Sequence, residues 1–254
     1  MKILKTGFLT LVLLVFSFSI IQAQDTQPTM FAVHTDNVHF SMAPQYEQVM
    51  KELLDNFTKY NIQDVSWTSI SVEDGRYVHV GPINSMADLD KNPMGTLFEN
   101  MGTEAATQLF NKMDECYDSH TDNVVHYIPE LSFNPESAES IEDKNHREYH
   151  FLYYAPKNEA AITEAMKAVK ALFEAKGIKN GYSIYKSGFG SPESYYMVSV
   201  AAKDGVEMAQ TGKANNEAFG EEGDATFFNV IKLTTRYDQV EGTIRPDLSY
   251  TPKQ

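Results

Sequence analysis

One phrase occurs twice in this chain, and it constrains the fold more than any other feature. Pro129-Glu130-Leu131-Ser132-Phe133-Asn134-Pro135 returns as Pro246-Asp247-Leu248-Ser249-Tyr250-Thr251-Pro252. Four of the seven positions are identical, and two more keep their chemistry, Glu for Asp and Phe for Tyr. Two amphipathic stretches stand upstream, one opened by Pro44 and one by Pro156. A proline suits a first helical turn, where its missing donor leaves nothing unpaired. The duplication predicts two like units in one chain.

Periodicity fills in each unit. Met30 to Phe40 is strand-like, and Tyr46, Val49, Met50, Leu53, Leu54 and Phe57 recur at helical spacing with one apolar face. Val65 to Val72 and Arg76 to Ile83 are β-rich runs around Asp74-Gly75, a hairpin signal. A helix over Thr103 to Tyr117 and a strand over Asp122 to Ile128 complete the order βαββαβ. The second unit repeats it: Arg147 to Ala155, a helix striped by Ile162, Met166, Val169 and Phe173, then a hairpin of Tyr182 to Ser187 with Glu193 to Ala202. A weaker helix over Asp204 to Phe219, with Gly205 and Gly212 inside it, and a last strand over Ala225 to Tyr237 follow. One irregularity stands out. The repeated phrase follows its strand directly in the first unit, whereas Asp238 to Arg245 intervene in the second.

A βαββαβ unit folds as a four-stranded antiparallel sheet with both helices on one face. Two units can bury their bare faces against each other and close a barrel. With its element order, its helix entry Pro44-Gln45-Tyr46-Glu47 and its repeated landmarks, the chain resembles the dimeric α/β-barrel superfamily in tandem-fused form. The resemblance covers residues 29–237. It implies an α+β fold of two ferredoxin-like units packed as an intramolecular barrel, and it extends to exported proteins of Bacteroidetes. The superfamily includes cofactor-free monooxygenases and haem enzymes such as chlorite dismutases, so it implies no single reaction. No cofactor is predicted from the residues; haem is the alternative that the resemblance implies, and the Gly-x-x-Asp-Gly pattern of the peroxidases is absent at Asp204-Gly205.

The expected organisation is a signal peptide over 1–23, a first unit over 24–135, a linker over 136–146, a second unit over 147–237 and a tail over 238–254. Lys2 and Lys5 precede an apolar run from Phe8 to Ile21, too short to span a bilayer, and Ala23 offers a cleavage point. An exported, periplasmic or secreted, protein is therefore expected. Removing the leader leaves 19 basic against 35 acidic side chains, a formal charge of −16. That balance repels nucleic acid and anionic membrane surfaces. Cys116 is the sole cysteine, so no internal disulfide forms.

Histidine and aromatic placement nominate the candidate ligand-binding residues: His34, Trp67, Tyr77, His79, His126, His150 and Tyr182. In this topology the first strand lies between the third and fourth, which can bring His34, His79 and His126 together. Alternation around Val78 and Val80 predicts that these valines face the helices and that Tyr77 and His79 face the barrel interior. A histidine pair suits general base or ligand duty. An aromatic-lined hollow suits a small, partly apolar ligand. No spacing of His, Cys, Asp and Glu predicts a metal site. Two readings follow: an exported small-ligand-binding module, or a monooxygenase-like oxidoreductase with a histidine site inside the barrel.

Overall fold

The computed structural model describes residues 29–63, 65–135, 140 and 143–253. The leader over 1–23 and most of the expected linker lie outside these residues. Eight strands form one closed antiparallel barrel in the order β1-β3-β2-β8-β5-β7-β6-β4, with β4 returning to β1. The first unit holds β1 (Met30–Val38), α1 (Ala43–Tyr60), β2 (Trp67–Val72), β3 (Arg76–Ile83), α2 (Pro93–Met101), α3 (Thr103–Asp114) and β4 (Tyr117–Tyr127). The second holds β5 (His146–Tyr153), α4 (Glu159–Ala175), β6 (Tyr182–Ser187), β7 (Tyr195–Ala202), α5 (Gly205–Ile231) and β8 (Arg236–Tyr250).

Local chemistry explains the punctuation. Pro44 sits in the first turn of α1, and Asn61 ends that helix in the left-handed conformation. Gly75, at φ 95°, makes the tight turn between β2 and β3, where a β-carbon would stand 3.0 Å from the Val38 carbonyl. Among the described residues no helix is long and apolar enough to cross a membrane.

Two apolar cores lie between helices and sheet, and a third fills the barrel. The first gathers Tyr46, Leu53, Phe57 and Leu109 under α1 and α3; the second gathers Ile162, Met166, Phe173 and Phe219 under α4 and α5. The interior holds Ile70, Val72 and Tyr149, packed with Val78, Val80, Phe151, Met197, Val240 and Ile244 from both units. The valines of β3 therefore face inward, and Tyr77 faces α1. This reverses the face expected for Tyr77 and His79. The two-residue alternation holds, but Tyr77 and His79 lie under α1 because Glu47 and Tyr46 of that helix offer them hydrogen-bond partners.

Three further elements differ from expectation. Residues 225–231 belong to α5, which bends at Gly220 (φ 56°, ψ −151°) and resumes. The last strand starts at Arg236, so residues 238–250, expected as a tail, are barrel strand. The spacing irregularity disappears with that shift: His34 pairs with Asp122 and His150 with Gln239, each seven residues before its Pro129 or Pro246. α2 occupies a stretch that carried no helical expectation, and Cys116 lies buried just past α3.

The repeated phrase does the same work twice. Ser249 Oγ accepts from the Ser69 amide at 2.9 Å and donates to the Arg245 carbonyl at 2.8 Å. Ser132 Oγ accepts from the Ile184 amide at 2.9 Å and donates to the Ile128 carbonyl at 2.9 Å. Tyr250 pairs with Trp67, as Phe133 bridges to Tyr182, while Leu248 and Leu131 are fully buried. Each phrase thus docks on a strand of the other unit. Ser132→Ala and Ser249→Ala each remove the acceptor for a buried strand amide, at a cost of about 1–3 kcal/mol. Urea unfolding should show matching losses in the two variants; a loss in only one would show that the docked phrases are not equivalent.

Candidate functional site

The helix-facing side of the first unit holds a connected polar chain. Ser69 Oγ donates to the Leu248 carbonyl at 2.6 Å and lies 2.8 Å from His79 Nδ1. His79 Nε2 lies 2.8 Å from the Tyr46 hydroxyl, which donates to Asp36 Oδ2 at 2.6 Å. Asp36 Oδ1 is 3.0 Å from His34 Nε2, and His34 Nδ1 is 2.8 Å from Asp122 Oδ1. β1, β2, β3, β4 and α1 each supply a member, and the crossing strand β8 supplies the terminal carbonyl. Asp36, Tyr46 and Ser69 are at most 2 % exposed, whereas His34 stands at the edge beside the exposed Asp122 and His120.

The second unit shows what the fold requires at these positions. His34 faces His79 across β1 and β3, as His150 faces Val198 across β5 and β7. Asp36 likewise matches Leu152, because each pairs with a tyrosine, Tyr77 or Tyr196. Ser69 pairs with His79 as Ile184 pairs with Val198. The helix exits match too, Ile62 bonding to the Phe57 carbonyl and Ile178 to that of Phe173, which aligns Tyr46 with Ile162. Asp36, Tyr46, Ser69 and His79 thus correspond to Leu152, Ile162, Ile184 and Val198. The same architecture closes with apolar side chains. A buried polar group needs its hydrogen bonds merely to break even with such a replacement. The fold alone therefore does not call for the chain.

Electrostatics follow from the contacts. Hydrogen bonding to Asp36 raises His34 to about 9, against the opposing effect of burial, with Asp122 adding to the rise. Burial pushes Asp36 up, but the hydrogen bonds from His34 and Tyr46 overcome it and hold the carboxyl below its usual range. Burial pulls His79 down to about 4, opposed by Asp36. The Tyr46 phenol is driven far up by burial beside that carboxylate.

A second feature lies under the N-terminal half of α5. A hollow of about 760 Å³ opens between that helix and the sheet of the second unit. Its lining includes Phe173, Tyr182, Val200, Met208, Gly212 and Asn215, with Glu148, Glu217 and Glu241 against Lys213. Residues 205–218 of α5 bury no side chain fully, so this half-helix stands off the sheet. The Tyr182 hydroxyl is buried with no hydrogen-bond partner, and burial raises its phenol.

The nominated residues separate accordingly. His34 and His79 meet, with ring centroids 6.2 Å apart, and the Tyr77 ring lies tilted against that of Tyr46 while its hydroxyl donates to Glu47 at 2.7 Å. His126 stays apart: it sits at the far end of β4, opposite Met30 and Lys186 and against Gly188. Trp67 is core, edge-on to Phe57 and donating to the Leu248 carbonyl at 3.0 Å. His150 binds Glu148 and the Tyr237 hydroxyl in the second unit. Tyr182 lines the hollow. Asp36, Tyr46 and Ser69 were not nominated. Tyr46 reads as an ordinary member of an apolar helix stripe, and only its partners distinguish it.

Among the described residues no group of His, Cys, Asp and Glu is arranged to hold a metal ion. Haem would need an axial ligand and cations for its propionates. The hollow is lined by no imidazole and no thiol; Met208 offers a lone thioether, the Tyr182 phenol is held protonated, and the carboxylates outnumber the one lysine. These residues do not fit haem.

No family model matches the chain, and no curated protein matches it. Solved structures do share its fold. An anthrone oxidase-like protein superposes with a TM-score of 0.57 at 8 % identity, covering 87 % of this chain and 92 % of the other. A candidate monooxygenase from Lactobacillus acidophilus NCFM gives 0.52 at 7 %, covering 89 % and 97 %. Chlorite dismutase from Candidatus Nitrospira defluvii, in complex with imidazole, gives 0.52 at 11 %, covering 87 % and 93 %.

The His34 shift sets a pH dependence. Its folded value lies above the ordinary 6.5, so its stabilisation is complete below about 6.5 and is lost as pH rises through about 9. Thermal unfolding between pH 6 and 10 should show stability falling in that window, and His34→Gln should flatten the fall. An unchanged slope in the variant would rule out the carboxylate-held imidazolium. In their eight-stranded α/β-barrel architecture these neighbours and the present chain are alike, and the likeness extends to the fold alone.

Proposed function

We propose that the protein is an exported module that binds a small, partly apolar molecule carrying a positive charge, in the hollow beneath α5. The observation that carries this reading is the hollow itself, an open space of about 760 Å³ lined by both apolar side chains and carboxylates. The volume falls in the range of small-molecule pockets. Phe173, Val200 and Met208 suit an apolar body, and Glu148, Glu217 and Glu241 suit an ammonium group. Export under the 1–23 leader and an origin by tandem fusion belong to the same reading.

A monooxygenase-like oxidoreductase is the second reading. The names of the structural neighbours support it, as does the imidazole–phenol–carboxylate chain of the first unit. In that case the histidines act from beneath α1 rather than from inside the barrel.

Gly212 supplies the test. A β-carbon there meets nothing within 4 Å, so Gly212→Phe fills the hollow without a clash at its base. Replacing a mid-helix glycine also favours the helix by up to about 1 kcal/mol. Aromatic amines should raise the melting temperature of the wild-type protein, aromatic sulfonates should not, and Gly212→Phe should lose the response while keeping its own stability. Equal binding by wild type and Gly212→Phe would place the ligand elsewhere.

A further inference from the structure

The polar chain of the first unit has four contacts in series, from the Leu248 carbonyl through Ser69, His79 and Tyr46 to Asp36. Each contact needs one hydrogen between its two heavy atoms. Both ends are acceptors when Asp36 is ionised. Ser69 supplies one hydrogen, Tyr46 one, and a neutral imidazole one. Three hydrogens cannot fill four contacts. From this count we infer that the chain stores one proton beyond its neutral hydroxyls and imidazole, forming a proton-holding site beneath α1 that meets solvent at His34.

Two arrangements satisfy every contact. In one, Asp36 is a carboxylate and His79 an imidazolium, with Nδ1–H donating to Ser69 and Nε2–H donating to Tyr46. In the other, the Asp36 carboxyl keeps the proton and donates to Tyr46, which donates to His79 Nε2. The two interconvert by a balanced transfer through one hydroxyl. Tyr46 Oη takes the hydrogen of Asp36 Oδ2 as its own passes to His79 Nε2, and no proton enters or leaves. Taken singly, burial holds the His79 ring neutral and the hydrogen bonds from His34 and Tyr46 hold Asp36 ionised; in that state one of the four contacts has no hydrogen, so the geometry requires one of the two groups to keep a proton against its own surroundings. The other titratable and charged groups facing the chain are Glu47 of α1, paired with Arg245 of β8, Tyr77 of β3, and Tyr117, His120 and Asp122 of β4. The apolar quartet of the second unit has no such capacity, so the stored proton is a property of one half of the barrel. The inference is independent of ligand binding under α5.

Nuclear magnetic resonance counts the hydrogens directly. At pH 7, ring nitrogen shifts of His79 and the carboxyl carbon shift of Asp36 should together report one proton beyond a neutral ring and an ionised acid. A His79 ring with one bare nitrogen beside an ionised Asp36 would overturn the inference. Ser69→Ala removes two contacts and one hydrogen, leaving two contacts for the two hydrogens of Tyr46 and a neutral His79. The extra proton should then be absent at the same pH; its retention would also overturn the inference. Tyr46→Phe leaves two contacts and two hydrogens on the His79 side and predicts the same loss, which serves if Ser69→Ala does not fold.

Discussion

Closure of the barrel rests on each unit's final segment docking against the other unit. A strand edge presents a row of unpaired amides and carbonyls, and two isolated ferredoxin-like sheets would each leave such edges bare. Here β4 pairs with β6 and β8 pairs with β2, so the edges are consumed in the joints between units. The seven-residue phrase follows those joints and finishes them. Its serine satisfies the amide of the opposite strand, its leucine is buried, and its aromatic residue packs on the partner's Trp67 or Tyr182. Both copies of the phrase make these same contacts, which is why they read alike while the helices and strands around them differ.

Closure also separates what is structural from what is not. Two halves with the same connectivity serve as controls for each other. Where both keep a tyrosine bonded to the first turns of a helix, Tyr77 to Glu47 and Tyr196 to Thr163, the feature is part of the scaffold. Where one half places Leu152, Ile162, Ile184 and Val198 and the other Asp36, Tyr46, Ser69 and His79, the scaffold is indifferent. The same comparison isolates the hollow. α3 packs Leu109 and Met113 onto its sheet, while the first half of α5 carries Gly205, Gly212 and polar side chains and stands away. The polar chain thus belongs to one half and the hollow to the other.

The sequence made the architecture legible because hydrophobic period and repeated landmarks are local signals that both halves carry. Its failures have local causes as well. Ala225-Thr226-Phe227-Phe228-Asn229-Val230-Ile231 is rich in β-branched and aromatic residues, and Gly220 stands before it, so it reads as a strand after a break. In the fold, Gly220 is a bend within a helix, and Val230 is buried against the second core. At β3 both faces are buried, one in the barrel and one under α1, so alternation reveals two faces without saying which is which. Tyr46 decides the matter, and no pattern within β3 contains it. Of the nominated residues, His34 and His79 were recoverable as a pair from strand order. Asp36 and Ser69 were not, since a short polar residue in a strand usually signals a solvent face.

β8 ties the two departures together. Glu241 of this strand stands at the rim of the hollow, Arg245 grips Glu47 at the start of α1, and the Leu248 carbonyl terminates the chain through Ser69. Gly242 and Thr243 pair on both sides, with β5 and β2, and beyond Arg245 the strand bulges before Tyr250 rejoins Trp67. The ligand-sized space and the hydrogen-bonded chain are therefore set at a defined separation by one covalent element. That geometry follows from the cross-docking of the repeated phrase and not from the helices that cover either feature.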